Sequence, residues 1–284
     1  MSIVVTGATG HLGRLIVKAL LRDGIAPNEI IAGGRSIEKI ADLAEHGVRV
    51  AHLDYEDAES LTNAFAGATT LVLVSSSEVG KRAAQHGAAI DAAAAAGITR
   101  IIYTSAPAAT TSALILAPEH KETEERIHAS GIAFTILRNG WYSENYAGVV
   151  EQARESGVVL ASVGAATVAS ASRVDYADAV AAVVIGSNHE GRTYELSGDV
   201  AWDFAELAST IAELTGRDVV YTPVSPEEHH AILVSAGLDE ATAGFVVALD
   251  GNIRDGLLGV TTGELGTLIG RATTPLKAGL AAAL

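Results

Sequence analysis

The chain has 284 residues, 49% of them hydrophobic and 19% charged, carries a formal net charge of −15 and contains no cysteine. That is enough apolar material for one large domain, or one domain and a smaller appendage, and it excludes wholesale disorder. The acidic balance sets nucleic acid and anionic membrane surfaces aside as partners, and the missing thiols exclude disulfides, cysteine nucleophiles and thiolate metal sites.

In chain order, the first half alternates strand and helix signals. A β-branched run at 3–6 leads into apolar residues at helical spacing, Leu12, Leu15, Ile16, Ala19 and Leu20. Strands are predicted at 29–32, 48–51, 70–74, 100–104 and 133–137. Helices are predicted around 37–43 and at 58–65, 81–96 and 119–129, with Gly97 and Gly131 standing where helix ends take a left-handed residue. The apolar stretch at 88–96 is Ala-rich and interrupted by Asp91, so it reads as a buried helix and not a membrane span. Single helices between strands require parallel pairing through right-handed crossovers. The fold class is therefore α/β, with a Rossmann-type doubly wound parallel sheet over residues 1–140. Regularity falls away after Gly140. Helices at 173–185, 204–214 and 228–236, a strand at 194–196 and short helices beyond Leu238 make 141–284 a small C-terminal α/β cap that partly returns to the first domain. The chain enters its first strand without a basic and apolar leader, which together with the absence of cysteine fits a cytoplasmic protein.

The most informative segment is Thr6-Gly7-Ala8-Thr9-Gly10-His11-Leu12-Gly13, between the first strand and the first helix. In a dinucleotide fold the first glycine permits the tight turn, the second lets a pyrophosphate approach the backbone, and the third lets helix and strand pack closely. The helix N-terminus then offers N–H groups and partial positive charge to phosphate, with His11 facing solvent or phosphate. A dinucleotide is thus expected on Gly7, Thr9, Gly10, His11, Leu12 and Gly13. NAD-binding relatives of this fold carry Asp or Glu about 20 residues further on for the ribose 2′-hydroxyl. The second strand here ends in Ala32-Gly33-Gly34-Arg35-Ser36, with Lys39 one helical turn on. A guanidinium suits a 2′-phosphate, so NADP(H) is expected in preference to NAD(H); stacking of Arg35 on the adenine, or exposure to solvent, is the competing reading. Asp54 and Tyr55 follow the third strand, where a carboxylate can accept from the adenine amino group or simply belong to the loop. Ser75, Ser76 and Ser77 follow the fourth strand at the ligand-binding edge.

The glycine turn, the strand end Tyr103-Thr104-Ser105 and the run Leu137-Arg138-Asn139-Gly140-Trp141-Tyr142-Ser143-Glu144-Asn145-Tyr146 together resemble the atypical short-chain dehydrogenase/reductases. Within them the likeness is to the NmrA-like branch of quinone and triphenylmethane-dye reductases, and the tail around Leu268–Leu276 shares it. The resemblance implies NADP(H) across the strand ends, a cap over the nicotinamide, and Asn139, Gly140, Trp141 and Tyr142 near its nicotinamide end. Trp141 and Tyr142 can equally anchor the cap in its core. The resemblance also makes the helix opening Arg173-Val174-Asp175-Tyr176-Ala177-Asp178 a structural joint, with Asp175 able to cap it.

Most members of the wider family use Ser, Tyr and a Lys four residues after the Tyr, the phenol giving its proton to the carbonyl oxygen. Ser105 matches the serine. Aligned on Glu124, Leu116 stands in place of Tyr and His120 in place of Lys, and Lys121 points about 100° away on the helix. A plain ketone needs a proton as hydride arrives; a quinone or dye needs it less, since its product anion is a weak base. The candidate catalytic set is His120, Ser105 and Tyr142, with Ser105 also a cofactor contact. His120 is an auxiliary proton source, a ribose contact, or a half-exposed helix histidine. No metal is expected, since the neighbours His229 and His230 diverge on their helix. The sequence reads as an NADPH-dependent oxidoreductase passing hydride to a quinone or similar electrophilic acceptor without the Tyr–Lys pair. An NADP(H)-binding redox sensor without turnover is the alternative, and an aryl-ether reductase of the isoflavone-reductase kind, which retains the Lys, is disfavoured. A homodimer is compatible with the sequence, and neither nucleic acid nor membrane is a partner.

Overall fold

The computed structural model describes residues 2–284. Its elements run β1 (Ile3–Val5), α1 (His11–Arg22), β2 (Ile30–Gly34), α2 (Ala41–Glu45), β3 (Arg49–His52), α3 (Ala58–Phe65), β4 (Thr70–Leu73), α4 (Arg82–Ala95), β5 (Arg100–Ser105), α5 (Ala117–Ala129) and β6 (Ala133–Asn139). They continue with α6 (Ala147–Ser156), β7 (Val158–Ala161), β8 (Thr167–Val168), α7 (Arg173–Ile185), β9 (Arg192–Leu196), β10 (Trp202–Asp203), α8 (Phe204–Thr215), β11 (Val220–Pro223), α9 (Pro226–Ser235), α10 (Glu240–Arg254), α11 (Glu264–Ile269) and α12 (Leu276–Ala281).

The chain forms two compact units. The first gathers the residues up to Thr110 with Leu116–Asn139 and Arg173–Glu195. Its sheet has the order β3-β2-β1-β4-β5-β6-β9, and the pairings from β3 through β6 are parallel. Consecutive residues of β1, β2 and β4 are all buried, the mark of strands covered on both faces. One face packs Val4, Ile31, Leu71, Leu73, Ile101 and Tyr103 against Leu61 and Phe65 of α3, Ala89, Ile90 and Ala93 of α4 and Ile127 of α5. On α1, Leu12, Ile16, Val17, Ala19 and Leu20 form the buried stripe, and α1 packs on α7, a largely buried helix. The strand order reverses between β1 and β4, and in open α/β sheets ligands bind at the strand ends beside such a switch point.

The second unit comprises Thr111–Ile115, Gly140–Ser172 and Leu196–Leu284. It holds two small sheets, β10 with β8 and β11 with β7. Its helices start on strong local signals: Asp203 with Glu206 and Ser225 with Glu228 form reciprocal capping boxes on α8 and α9. Two features differ from the sequence expectation. Helix α6 and the short strands of this unit carry too little periodicity to predict. Beyond Leu238 the glycines suggest only short helices, yet α10 runs for 15 residues. Asp239 caps it through the N–H groups of Ala241 and Thr242, and a helix tolerates glycine at about 1 kcal/mol each once tertiary packing holds it.

Candidate functional site

The ends of β1–β4 and the start of α1 surround a cleft of about 330 Å³. It is lined by Gly7, Thr9, Gly10, His11, Leu12 and Gly13, by Gly34 and Arg35 after β2, and by Leu53, Asp54 and Tyr55 after β3. Val74, Ser75, Ser76, Ser77 and Glu78 after β4, Gln85 on α4 and Arg173 at the start of α7 complete it.

The glycine turn has the construction a bound pyrophosphate requires. Gly7 sits at φ +61°, where a side chain is disfavoured. The Gly10 N–H donates to the Gly7 carbonyl at 2.9 Å, and the Ala8 N–H to the Gly33 carbonyl at 2.9 Å, locking the turn onto β2. A Cβ on Gly13 would lie 2.3 Å from the Gly7 carbonyl oxygen, so α1 approaches the turn more closely than any side chain permits. Gly10 caps α1 without a side chain and no acidic residue follows in the first turn, which leaves the positive helix end to a ligand. Gln85 adds a buried Oε1 that has no partner among the described residues. Glycine cradle, helix end and cationic Arg35 fit a phosphorylated dinucleotide.

The loop after β4 is held from behind. The Ser76 N–H donates to His86 Nε2 at 3.0 Å, and Arg82 Nε donates to the Ser76 carbonyl at 2.7 Å. An accepting Nε2 makes His86 the Nδ1–H tautomer, which donates to Thr123 Oγ1 at 3.0 Å while Thr123 donates to the Glu119 carbonyl. Burial, with a smaller contribution from the Arg82 guanidinium, pushes His86 down to about 3, so the neutral acceptor persists. Ser75 is fixed by its N–H to Thr104 Oγ1 at 2.9 Å, and Tyr55 donates its phenol to the Val74 carbonyl at 3.1 Å. The Asp54 carboxylate accepts the Glu56 N–H at 3.0 Å, closing its loop while Asp54 still lines the cleft.

Other expected residues are placed elsewhere. Lys39 is exposed and outside the cleft lining, contributing its carbonyl to the Arg14 guanidinium at 2.6 Å. Ser105 and His120 are both 5% exposed and do not line the cleft. They are rungs of a polar ladder between β5 and α5: Tyr103 OH lies 2.7 Å from His120 Nδ1, and Ser105 Oγ donates to Glu124 Oε1 at 2.6 Å. Two residues along a strand and four along a helix span nearly the same distance, so the rungs align. Glu124 also receives Arg138 through two bonds, of 2.9 and 2.6 Å. Burial holds His120 well below the usual histidine range, with Arg82 and His86 adding to it. The structure thus gives His120 neither half-exposure nor contact with the cleft, because Tyr103 takes its ring nitrogen inside the fold. Asn139 is buried at the end of β6 in the first unit. Gly140, Trp141 and Tyr142 belong to the second, where the Trp141 carbonyl accepts the Ala171 N–H at 3.1 Å and Tyr142 is bridged to Ala171. Sequence reasoning missed Glu78, Gln85 and Arg173 as cleft residues; Arg173 carried no signal beyond opening a helix.

Glycine turn, strand order and cleft define a dinucleotide-binding α/β protein. The chain belongs to the NAD(P)H-binding family, whose pattern matches residues 7–185, and within it to the NmrA-like branch. Quinone oxidoreductase 2 of Escherichia coli (strain K12) is 43% identical over 274 residues, 96% of either chain. The crystal structure of the Escherichia coli NADPH-dependent quinone oxidoreductase QOR2 complexed with NADPH superposes with a TM-score of 0.94 at 42% identity, covering 99% of each chain. The Citrobacter sp. triphenylmethane reductase complexed with NADP(H) gives 0.94 at 38% identity over 100% of both.

Proposed function

We propose that this chain is an NADPH-dependent oxidoreductase whose acceptor is a quinone or a similarly conjugated electrophile. The observation that carries the reading is the cleft itself, where the glycine turn and Arg35 share one wall and β2 runs straight into Arg35 and Ser36 instead of an Asp or Glu. The kinship with quinone and triphenylmethane-dye reductases supports the acceptor class. The bound nicotinamide supplies the hydride. The protein's own part is to fix the dinucleotide: the turn backbone and the α1 N-terminus take the pyrophosphate, Arg35 the 2′-phosphate, and the clamped Ser75–Ser76 loop the wall opposite. Ser105 and His120 are engaged inside the fold, and Leu116 and His120 stand where the wider family carries Tyr and Lys, which supports acceptors whose product oxyanion needs no dedicated proton donor.

Two measurements test this. NADPH consumption with a benzoquinone, a naphthoquinone, a triphenylmethane dye and a simple ketone is expected on the first three and not the ketone; tight NADPH binding with no consumption on any acceptor would instead make the chain a sensor. Arg35→Ala is expected to weaken NADPH binding by at least about tenfold, the worth of a charged hydrogen bond, and to leave NADH binding nearly unchanged. An equal loss for both cofactors would refute the 2′-phosphate role.

A further inference from the structure

Arg35 is already engaged. Its NH1 pairs with Glu78 Oε1 at 2.8 Å, and both residues line the cleft. Glu78 sits on the clamped loop: its N–H donates to Ser76 Oγ at 3.2 Å, and Ser76 is gripped by His86 and Arg82. The carboxylate is therefore presented to the end of β2 by a fixed backbone. On its other side Lys81 Nζ lies 3.7 Å from Glu78 Oε2 and 3.1 Å from Glu56 Oε1. The rim around Arg35 thus carries two cations and two carboxylates.

We propose that Glu78 competes with the cofactor's 2′-phosphate for Arg35, and so lowers the preference for NADPH over NADH below what Arg35 alone would confer. The proposal rests on the reading of Arg35 as the 2′-phosphate ligand. A dianion arriving at Arg35 meets the Glu78 carboxylate on the same guanidinium, and the two repel. A cofactor with a free 2′-hydroxyl brings no such charge and leaves the pair intact. Lys81 makes the exchange feasible: as Arg35 turns to phosphate, Glu78 is left beside a second cation instead of unpaired. The handicap falls on 2′-phosphorylated ligands alone, so Glu78 determines specificity rather than overall affinity.

The test uses fragments that differ only at that phosphate, 2′,5′-ADP and 5′-AMP, bound to the whole protein in a calorimeter. Glu78→Gln is expected to tighten 2′,5′-ADP by about threefold to fivefold, the range of an exposed ion pair, and to leave 5′-AMP unchanged. Lys81→Met is expected to weaken 2′,5′-ADP in the wild-type background and to have no effect in the Glu78→Gln background. A Lys81 effect of equal size in both would make Lys81 a direct phosphate ligand and overturn the exchange. If wild type favours 2′,5′-ADP over 5′-AMP while Glu78→Gln binds 2′,5′-ADP no tighter, the competition is refuted and the Arg35 reading stands. If neither wild type nor Glu78→Gln favours 2′,5′-ADP over 5′-AMP, both fall together.

Discussion

Gly13→Ala is expected to raise the Kd for NADPH by up to about a hundredfold, the binding equivalent of the roughly 1–3 kcal/mol that overpacking costs. The new Cβ would stand 2.3 Å from the Gly7 carbonyl oxygen, 2.6 Å from the Gly7 carbonyl carbon and 2.9 Å from the Ala8 nitrogen. All three are backbone atoms, so no side chain can swing aside. Either α1 retreats from β1 or the Gly7–Ala8 peptide rotates, and either change spoils the surface that meets the phosphates. The other two glycines are less severe. A Cβ on Gly7 has room, 3.6 Å from Val74, but its φ of +61° costs about 1–2 kcal/mol for an L-residue. A Cβ on Gly10 lies 3.3 Å from the Gly7 oxygen, a contact that small shifts relieve. Titration calorimetry with NADPH, alongside thermal melts, orders the three variants. Gly13→Ala binding within about threefold of wild type would show that the helix–turn approach is not what builds the phosphate site.

Legibility in the sequence follows the range of the interaction. The glycine turn was readable because each glycine answers a local backbone demand, and Arg35 because the end of the second strand has a fixed offset from that turn. Ser75 and Ser76 were reachable from the edge rule of parallel sheets. Gln85 and Arg173 were not, since only the folded sheet brings α4 and α7 to the end of β1, and Glu78 lies one residue past the Ser75–Ser77 run that the edge rule marked. The helix predicted at 119–129 placed His120 on α5 but said nothing of its depth. Depth depends on Tyr103, a residue on another element whose phenol meets the imidazole inside the fold. In the second unit the predicted helices at 204–214 and 228–236 lie close to α8 and α9, whose capping boxes at Asp203 and Ser225 are seen in the structure, whereas α10 has a glycine-interrupted pattern and is held by its Asp239 cap and by packing.

Two buried histidines, His86 behind the cleft loop and His120 in the ladder, make the protein acid-sensitive, and together they are expected to steepen the loss of stability by up to about 3 kcal/mol per pH unit below about pH 5.5. The sign follows from where each state holds protons. In the unfolded chain His86 and His120 protonate near 6.5, whereas folding pushes His86 to about 3 and holds His120 well below its usual range, chiefly through burial. Across that window the unfolded state binds two protons that the folded state refuses, at about 1.4 kcal/mol each per pH unit. The contribution is fully present above about pH 6.5 and is lost as the pH falls. Protonating His86 Nε2 would also abolish the acceptor for the Ser76 N–H, so the cleft loop and the fold fail together. Carboxylate titration shrinks the net charge of −15 over the same range and relieves surface repulsion, so the informative quantity is the difference between variants. Glutamine at either site keeps an acceptor without a titrating proton. His86→Gln and His120→Gln should each lower the slope of unfolding free energy against pH by up to about 1.4 kcal/mol per unit at the acid end of urea melts run between about pH 7.5 and 5. Slopes equal to wild type in both variants would remove His86 and His120 from the account of the acid loss.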